Sequence, residues 1–258
     1  MSTYVYGIAS ASHPSLPEGM GGVGDPPNPV RLLKEGDLVA IAGDAPEDLR
    51  PKRRDLLAHQ TILAEAGAGG CVLPMRFGNV APDDDAVLSV LSERAGHYAE
   101  RLRALDGRAE YNVKANHDEQ AVLHVVMAED ADLRALAEAN RQSGGGSHDD
   151  KLRLGERVVA AVQAREGVDA AALQQALEPT AAAVATGAES TGWITNLSFL
   201  VDTATADEFL GAVERFREQN PHVQLRVNGP LPPYSFVEPG PADHAPDGAG
   251  QIAGTAVE

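Results

Sequence analysis

Apolar positions along the first part of the chain switch between two periods. Thr3–Ala9 (TYVYGIA) is rich in aromatic and β-branched residues and predicts a strand, and Leu38–Ala42 predicts a short second one. Asp48–Ala66 carries Leu49, Leu56, Leu57 and Leu63 at helical spacing, with Gly67 and Gly69 as stop signals. Cys71–Leu73 is again strand-like. Pro74 interrupts it and Arg76–Val80 resumes an extended run, which predicts a hairpin or a bent strand pair. Pro82–Leu105 is the clearest helix: Val87, Leu88, Leu91, Ala95, Tyr98, Leu102 and Leu105 make a continuous apolar stripe. Asp83, Asp84 and Asp85 suit its positive dipole end, and Asp106-Gly107 stops it. Glu110–Asn116 then alternates, with Tyr111, Val113 and Ala115 on one side, as a half-buried strand does.

The second part begins with helical patterns at Asp118–Met127 and Ala131–Gln142. Ser143–Asp150 (SGGGSHDD) reads as a flexible break. Lys151–Arg165 and Ala170–Thr186 are Ala-rich helical segments, the second kinked or split by Pro179. Trp193–Val201 predicts a strand. Asp207–Gln219 predicts a helix capped by Thr205 with Glu208 three residues on, burying Phe209, Leu210, Val213 and Phe216. His222–Asn228 alternates, with Val223, Leu225 and Val227 inward. The predicted class is α+β. Residues 1–116 form a unit in which two helices cover one face of a sheet, as in ferredoxin-like domains, and 117–236 form a helical α+β unit with a small sheet. Residues 237–258 read as a disordered acidic tail with many Gly, Pro and Ala.

Charge narrows the partners. A net charge of −17 over 258 residues repels phosphate backbones and anionic headgroups, so neither nucleic acid nor membrane is expected. The first nine residues do not form a signal peptide, and no stretch of about 18 apolar residues exists to cross a bilayer. A single cysteine, Cys71, leaves no intrachain disulfide, which fits a reducing cytoplasm. Of the eleven aromatic residues, eight lie in predicted strands or motif turns, so the helices pack with Leu, Val and Ala.

Candidate chemistry is sparse. Gly19-Met20-Gly21-Gly22-Val23-Gly24 matches G-x-G-x-x-G, but Asp25-Pro26-Pro27-Asn28-Pro29 follows and cannot open the helix that a dinucleotide site needs. The stretch Ser10–Pro29 is therefore expected to be a mobile loop. The histidines are scattered; His117 and His124 could share a helical face, but no third ligand joins them at an obvious spacing. There is no G-x-S-x-G elbow. No catalytic, cofactor or metal residue is expected. Two motifs stand out instead. One is Pro74-Met75-Arg76-Phe77-Gly78, in which Arg76 is expected to bond carbonyls or a carboxylate. The other is Gly229 to Phe236, whose Pro230, Pro232 and Pro233 stiffen a segment carrying Tyr234 and Phe236. It is either a corner pinning two aromatics to the core or a preformed docking strip.

Four spaced segments together resemble the GvpL/GvpF gas vesicle family: Tyr4 to Ile8, Val72 to Gly78, Asn196 to Val201, and Gly229 to Phe236. Leu56-Leu57-Ala58-His59 and Glu110 are similar to the family pattern too, whereas Leu231 stands where a Trp is common. The resemblance spans residues 3–236 and implies a modified ferredoxin-like N-terminal domain followed by an α+β C-terminal domain. It implies a non-enzymatic accessory role in gas vesicle assembly, in nucleation or delivery of the shell protein or as a minor shell component, without a cofactor. Contacts with the shell protein GvpA and other accessory proteins, and a place at the gas vesicle in the cytoplasm, come with it; whether the chain is of the F or the L type stays open. A competing class is a small-molecule-binding or catalytic ferredoxin-like protein, for which a pocket lined by Arg76, His59 and a carboxylate would argue.

Overall fold

The computed structural model describes residues 1–14, 16–17, 19–188 and 192–238, so most of the expected acidic tail lies outside the described residues. The first half contains β1 (Thr3–Ser10), β2 (Val30–Glu35), β3 (Leu38–Asp44), α1 (Arg53–Gly69), β4 (Val72–Pro74) and the two-residue β5 (Val80–Ala81). Its strands pair antiparallel in the order β2-β3-β1-β4, with β5 also on β1. That is the ferredoxin-like order, except that the chain between Ser10 and Val30 replaces the helix expected between the first two strands. Helices α2 (Asp84–Glu93) and α3 (Ala95–Leu105) follow.

β1 is buried on both faces, and a bulge decides how. The register shifts between Val5 and Gly7, so Tyr6 is an extra residue. A bulge reverses the alternation of faces. Tyr4, Tyr6 and Ala9 therefore pack with Ile62, Leu63 and Ala66 of α1, while Val5 and Ile8 face Leu91, Tyr98 and Leu102 of α2 and α3.

The second half runs β6 (Arg108–His117), α4 (Glu119–Glu129), α5 (Ala131–Gln142), α6 (His148–Leu177), β7 (Ala183–Thr186), β8 (Thr195–Asp202), α7 (Ala206–Gln219) and β9 (Val223–Leu231). Its antiparallel order, β7-β8-β6-β9, repeats the first. Here three helices make the first crossover. Alternate residues of β6 (Ala109, Tyr111, Val113, Ala115) meet Leu173 and Leu177 of α6 and Phe209, Val213 and Phe216 of α7. Leu200 of β8 points the other way, into the cluster built on α2 and α3. Those two helices thus form a middle layer shared by both sheets. No helix among the described residues is long and apolar enough to cross a membrane.

Several expectations are corrected. Glu110–Asn116 was assigned to the unit 1–116, but β6 lies in the interior of the second sheet between β8 and β9. Alternation reports that one face is buried without saying against what. Val30–Glu35, whose sequence VRLLKE does not alternate apolar and polar residues, is an edge strand. The long helix breaks at Arg94, which closes α2 and opens α3. Lys151–Arg165 and the start of Ala170–Thr186 are one helix; Ser147 caps it in a capping box with Asp150, so the flexible break ends earlier than expected. Ala183–Thr186 is a strand, paired to β8, and Thr205 makes no side-chain cap: Asp202 accepts from the Ala204 N–H instead.

Candidate functional site

The Pro74–Gly78 turn is held by a closed chain of hydrogen bonds. The Met75 N–H donates to the Tyr6 carbonyl at 2.8 Å, extending the β1–β4 pairing. His59 of α1 reaches the Met75 carbonyl with Nε2 at 3.1 Å. A carbonyl only accepts, so Nε2 carries the proton and Nδ1 is the acceptor. Nδ1 lies 2.9 Å from the Tyr4 hydroxyl, which therefore donates to it. The Tyr4 oxygen accepts in turn from the Gly78 N–H at 3.2 Å. Phe77 sits edge-on to both Tyr4 and His59, with ring centroids 5.9 and 5.8 Å away. Burial lowers the His59 pKa, which keeps the ring in the neutral form this chain requires, and raises that of Tyr4.

Each residue of the motif then has a defined place. Pro74 is buried, Met75 and Phe77 are half-buried, and Gly78 adopts φ +93° at the exposed end of the turn. Arg76 is exposed, and its side chain has no hydrogen-bond or ion-pair partner among the described residues. This corrects the expectation of a paired, structural arginine: the neighbouring residues of the motif are clamped, and Arg76 is the one pointing out. The buried face of α1 is also not the leucine stripe read from spacing. It runs Asp55, His59, Ile62, Leu63 and Ala66, with Leu57 51% exposed.

The Gly-rich loop closes over the same cluster. Val23 is fully buried, and its N–H donates to the Tyr6 hydroxyl at 2.8 Å. The Gly24 N–H donates to buried Asp55 at 3.0 Å, and Arg54 ties Asp55 to Asp25 of the loop. A Cβ on Gly22 would stand 2.4 Å from the Tyr6 hydroxyl oxygen. The glycines serve close packing against a tyrosine, and this part of the expected mobile loop is anchored.

Gly229 to Phe236 joins the two halves. A Cβ on Gly229 would meet the Tyr111 ring at 2.4 Å, and the Gly229–Pro230 peptide is cis. Pro230 and Leu231 are exposed, Pro232 is half-buried and Pro233 buried. Tyr234 packs against the Tyr4–Tyr6 cluster of the first half, while Phe236 is buried in the middle layer. Buried Glu110 of β6 accepts from the Ser235 N–H and hydroxyl at 2.8 and 2.7 Å, and Arg101 of α3 donates to the Phe236 carbonyl at 2.8 Å. Burial and the Glu110 carboxylate push the Tyr234 pKa up to about 12.

Among the described residues, one surface cleft of about 320 Å³ lies under Leu16 and Met20 and another beside His13 and Cys71; neither of these is lined by Arg76 or His59. Burial pushes the Cys71 thiol up to about 11, so it stays protonated and unreactive near neutral pH. The structure does assemble one charged cluster that spacing did not reveal. His117 meets Asp169 of α6 and His222, while His124 stays exposed and bonds the Gln120 carbonyl. Arg165 and Asp169 are four apart on one helix, and that was the available signal.

Comparison with known proteins agrees with this architecture. Residues 2–238 match the family model described as gas vesicle synthesis protein GvpL/GvpF. Gas vesicle protein F of a Streptomyces species is 65% identical over 92% of this chain and 100% of its own length. Gas vesicle protein L of the same organism is 30% identical over 90% and 91%. The crystal structure of GvpF from Anabaena superposes with a TM-score of 0.73 at 23% identity, covering 93% of this chain and 99% of that one. GvpF from Microcystis aeruginosa gives 0.69, also at 23% identity, covering 92% and 99%. With nearly the whole described chain matched, this protein belongs to the GvpL/GvpF family of gas vesicle synthesis proteins.

Proposed function

We propose that the chain is a non-enzymatic accessory protein that works in water during gas vesicle assembly, nucleating or delivering the shell protein GvpA. The observation that carries this reading is Arg76, exposed and unpaired among the described residues on a turn whose other residues are fixed. A guanidinium carried on a fixed stretch of backbone offers a planar donor fork for a partner's carboxylate or carbonyl without the cost of ordering the turn. Pro74, Met75, Phe77 and Gly78 present it. Pro230, Pro232, Pro233, Tyr234 and Phe236 serve as the corner that locks the two halves together. A net charge of −17 favours a wet role, because unpaired charges resist drying.

Two measurements test the reading. Purified chain is expected to capture GvpA in a pull-down, and Arg76→Glu to weaken capture while the thermal midpoint stays put; equal capture by both would remove Arg76 from the interface. Intact vesicles stripped with urea are expected to retain little of this chain by mass spectrometry. Stoichiometric retention within the shell would overturn the wet role.

A further inference from the structure

We propose that His117, Asp169 and His222 bind one divalent transition metal ion of the zinc class. The three donors come from separate elements: the last residue of β6, the interior of α6 and the residue before β9. Their ligand atoms all lie within 4.8 Å of one another. Both imidazole Nε2 atoms aim at the same carboxylate oxygen, Asp169 Oδ2, each at 2.9 Å. The side chains are 7%, 1% and 7% exposed, so the cluster is preformed inside the protein and does not depend on mobile surface groups. The Asp118 N–H, bonded to the His222 carbonyl at 2.9 Å, fixes the two histidine-bearing segments side by side.

The two histidine–aspartate edges suit zinc with small adjustment. Tetrahedral zinc with bonds near 2.0–2.1 Å separates its ligand atoms by about 3.3 Å. Each histidine–aspartate edge must therefore open by only a few tenths of an ångström. Two nitrogen donors and one oxygen favour Zn²⁺, Co²⁺ or Ni²⁺ over Mg²⁺ and Ca²⁺, which prefer all-oxygen shells.

Arg165 is the neighbour that must be reconciled with a cation. Its Nη2 donates to Asp169 Oδ1 at 2.8 Å, and its Nε stands 3.0 Å from both carboxylate oxygens. Its Nη1 donates to both oxygens of Glu129, at 2.7 and 2.9 Å, so the guanidinium charge is balanced from the outer side. On Oδ1 the arginine orients the carboxylate, as outer partners of metal ligands do. Near Oδ2, and at His222 Nε2, which lies 3.4 Å from Nη2, it competes with the ion. The wild-type site is therefore weaker than its donor set alone would make it, and Arg165→Gln is expected to tighten it.

Full-length chain freed of metal with a chelator is titrated calorimetrically with Zn²⁺, and separately with Mg²⁺. Saturable 1:1 Zn²⁺ binding that survives excess Mg²⁺ is expected. His117→Asn and His222→Asn should each lose at least tenfold in affinity, and Arg165→Gln should gain severalfold. Absence of 1:1 binding in both wild type and Arg165→Gln would overturn the site. So would undiminished binding in the folded double-histidine variant, which would assign the ion to the acidic surface. Should the histidine variants fail to fold, Co²⁺ on wild type decides. Intense visible bands of low-coordinate, nitrogen-ligated cobalt support the site, and the weak spectrum of hexa-aqua-like cobalt overturns it.

Discussion

In the first half, the order β2-β3-β1-β4 is reached with no helix among the described residues between β1 and β2; in the second, β7-β8-β6-β9 is reached through three helices. Strand order is set by which faces must be buried, and the connection is free as long as it covers one of them. The Gly-rich loop does this with a few anchored residues over Tyr6, and α6 does it with Leu173 and Leu177 over β6. Two buried polar groupings differ as sharply. In the chain Gly78–Tyr4–His59–Met75 the groups are neutral, and each donor meets an acceptor. Asp169 and Arg165 form a charged pair, and His117 Nδ1 beside them is buried without a partner among the described residues. The neutral chain holds a turn in place, while the charged cluster has bonding capacity left over.

The contrast can be broken experimentally. Asp169→Ala strands the buried end of Arg165 and is expected to cost about 3–5 kcal/mol, read from urea midpoints with chelator present. Tyr4→Phe removes one hydroxyl but leaves the Gly78 N–H and His59 Nδ1 unsatisfied, for roughly 2–4 kcal/mol. If Tyr4→Phe proved the costlier of the two, the charged cluster would not be the more demanding one. Gly229→Ala forces a methyl against the Tyr111 ring and is expected to cost about 1–3 kcal/mol. Gly78→Ala has open space and only an unfavourable φ to bear, so about 1 kcal/mol is expected.

Smaller still is a pH effect. Burial depresses the pKa of His59 below its unfolded value near 6.5. The stability from its neutral form is complete above that unfolded value. It declines as the pH falls below it and through the folded pKa. His59→Gln should flatten the wild-type fall in thermal midpoint over that window; an unchanged slope would assign the fall to other groups. Arg76→Ala should leave stability within about 0.5 kcal/mol of wild type, since it removes an exposed side chain with no hydrogen bond or ion pair among the described residues.

Much of this was legible in the chain. Of the long stripe, Val87, Leu91, Tyr98, Leu102 and Leu105 are buried as the period demands, whereas Leu88 is half-buried and Ala95, beside the break at Arg94, is exposed; Tyr111, Val113 and Ala115 form one face of a strand. Other features were hidden for identifiable reasons. α1 buries Asp55 and His59 because a tyrosine hydroxyl and backbone groups of the Gly-rich loop and the Pro74–Gly78 turn satisfy them, and helical spacing cannot anticipate partners remote in sequence. The site motifs were recognisable as unusual; which residue of each points outward was not.

By itself the sequence determined the α+β class, the positions of the long amphipathic helices, the acidic character and the family motifs, because these rest on local period and composition. Only the tertiary structure decided that β6 belongs to the second sheet, that a bulge at Tyr6 turns β1 to two cores, and that His117, Asp169 and His222 converge. The physical reason is shared by all three. Periodicity states that a face is buried, whereas the partner that buries it is chosen by packing among residues far apart in the chain.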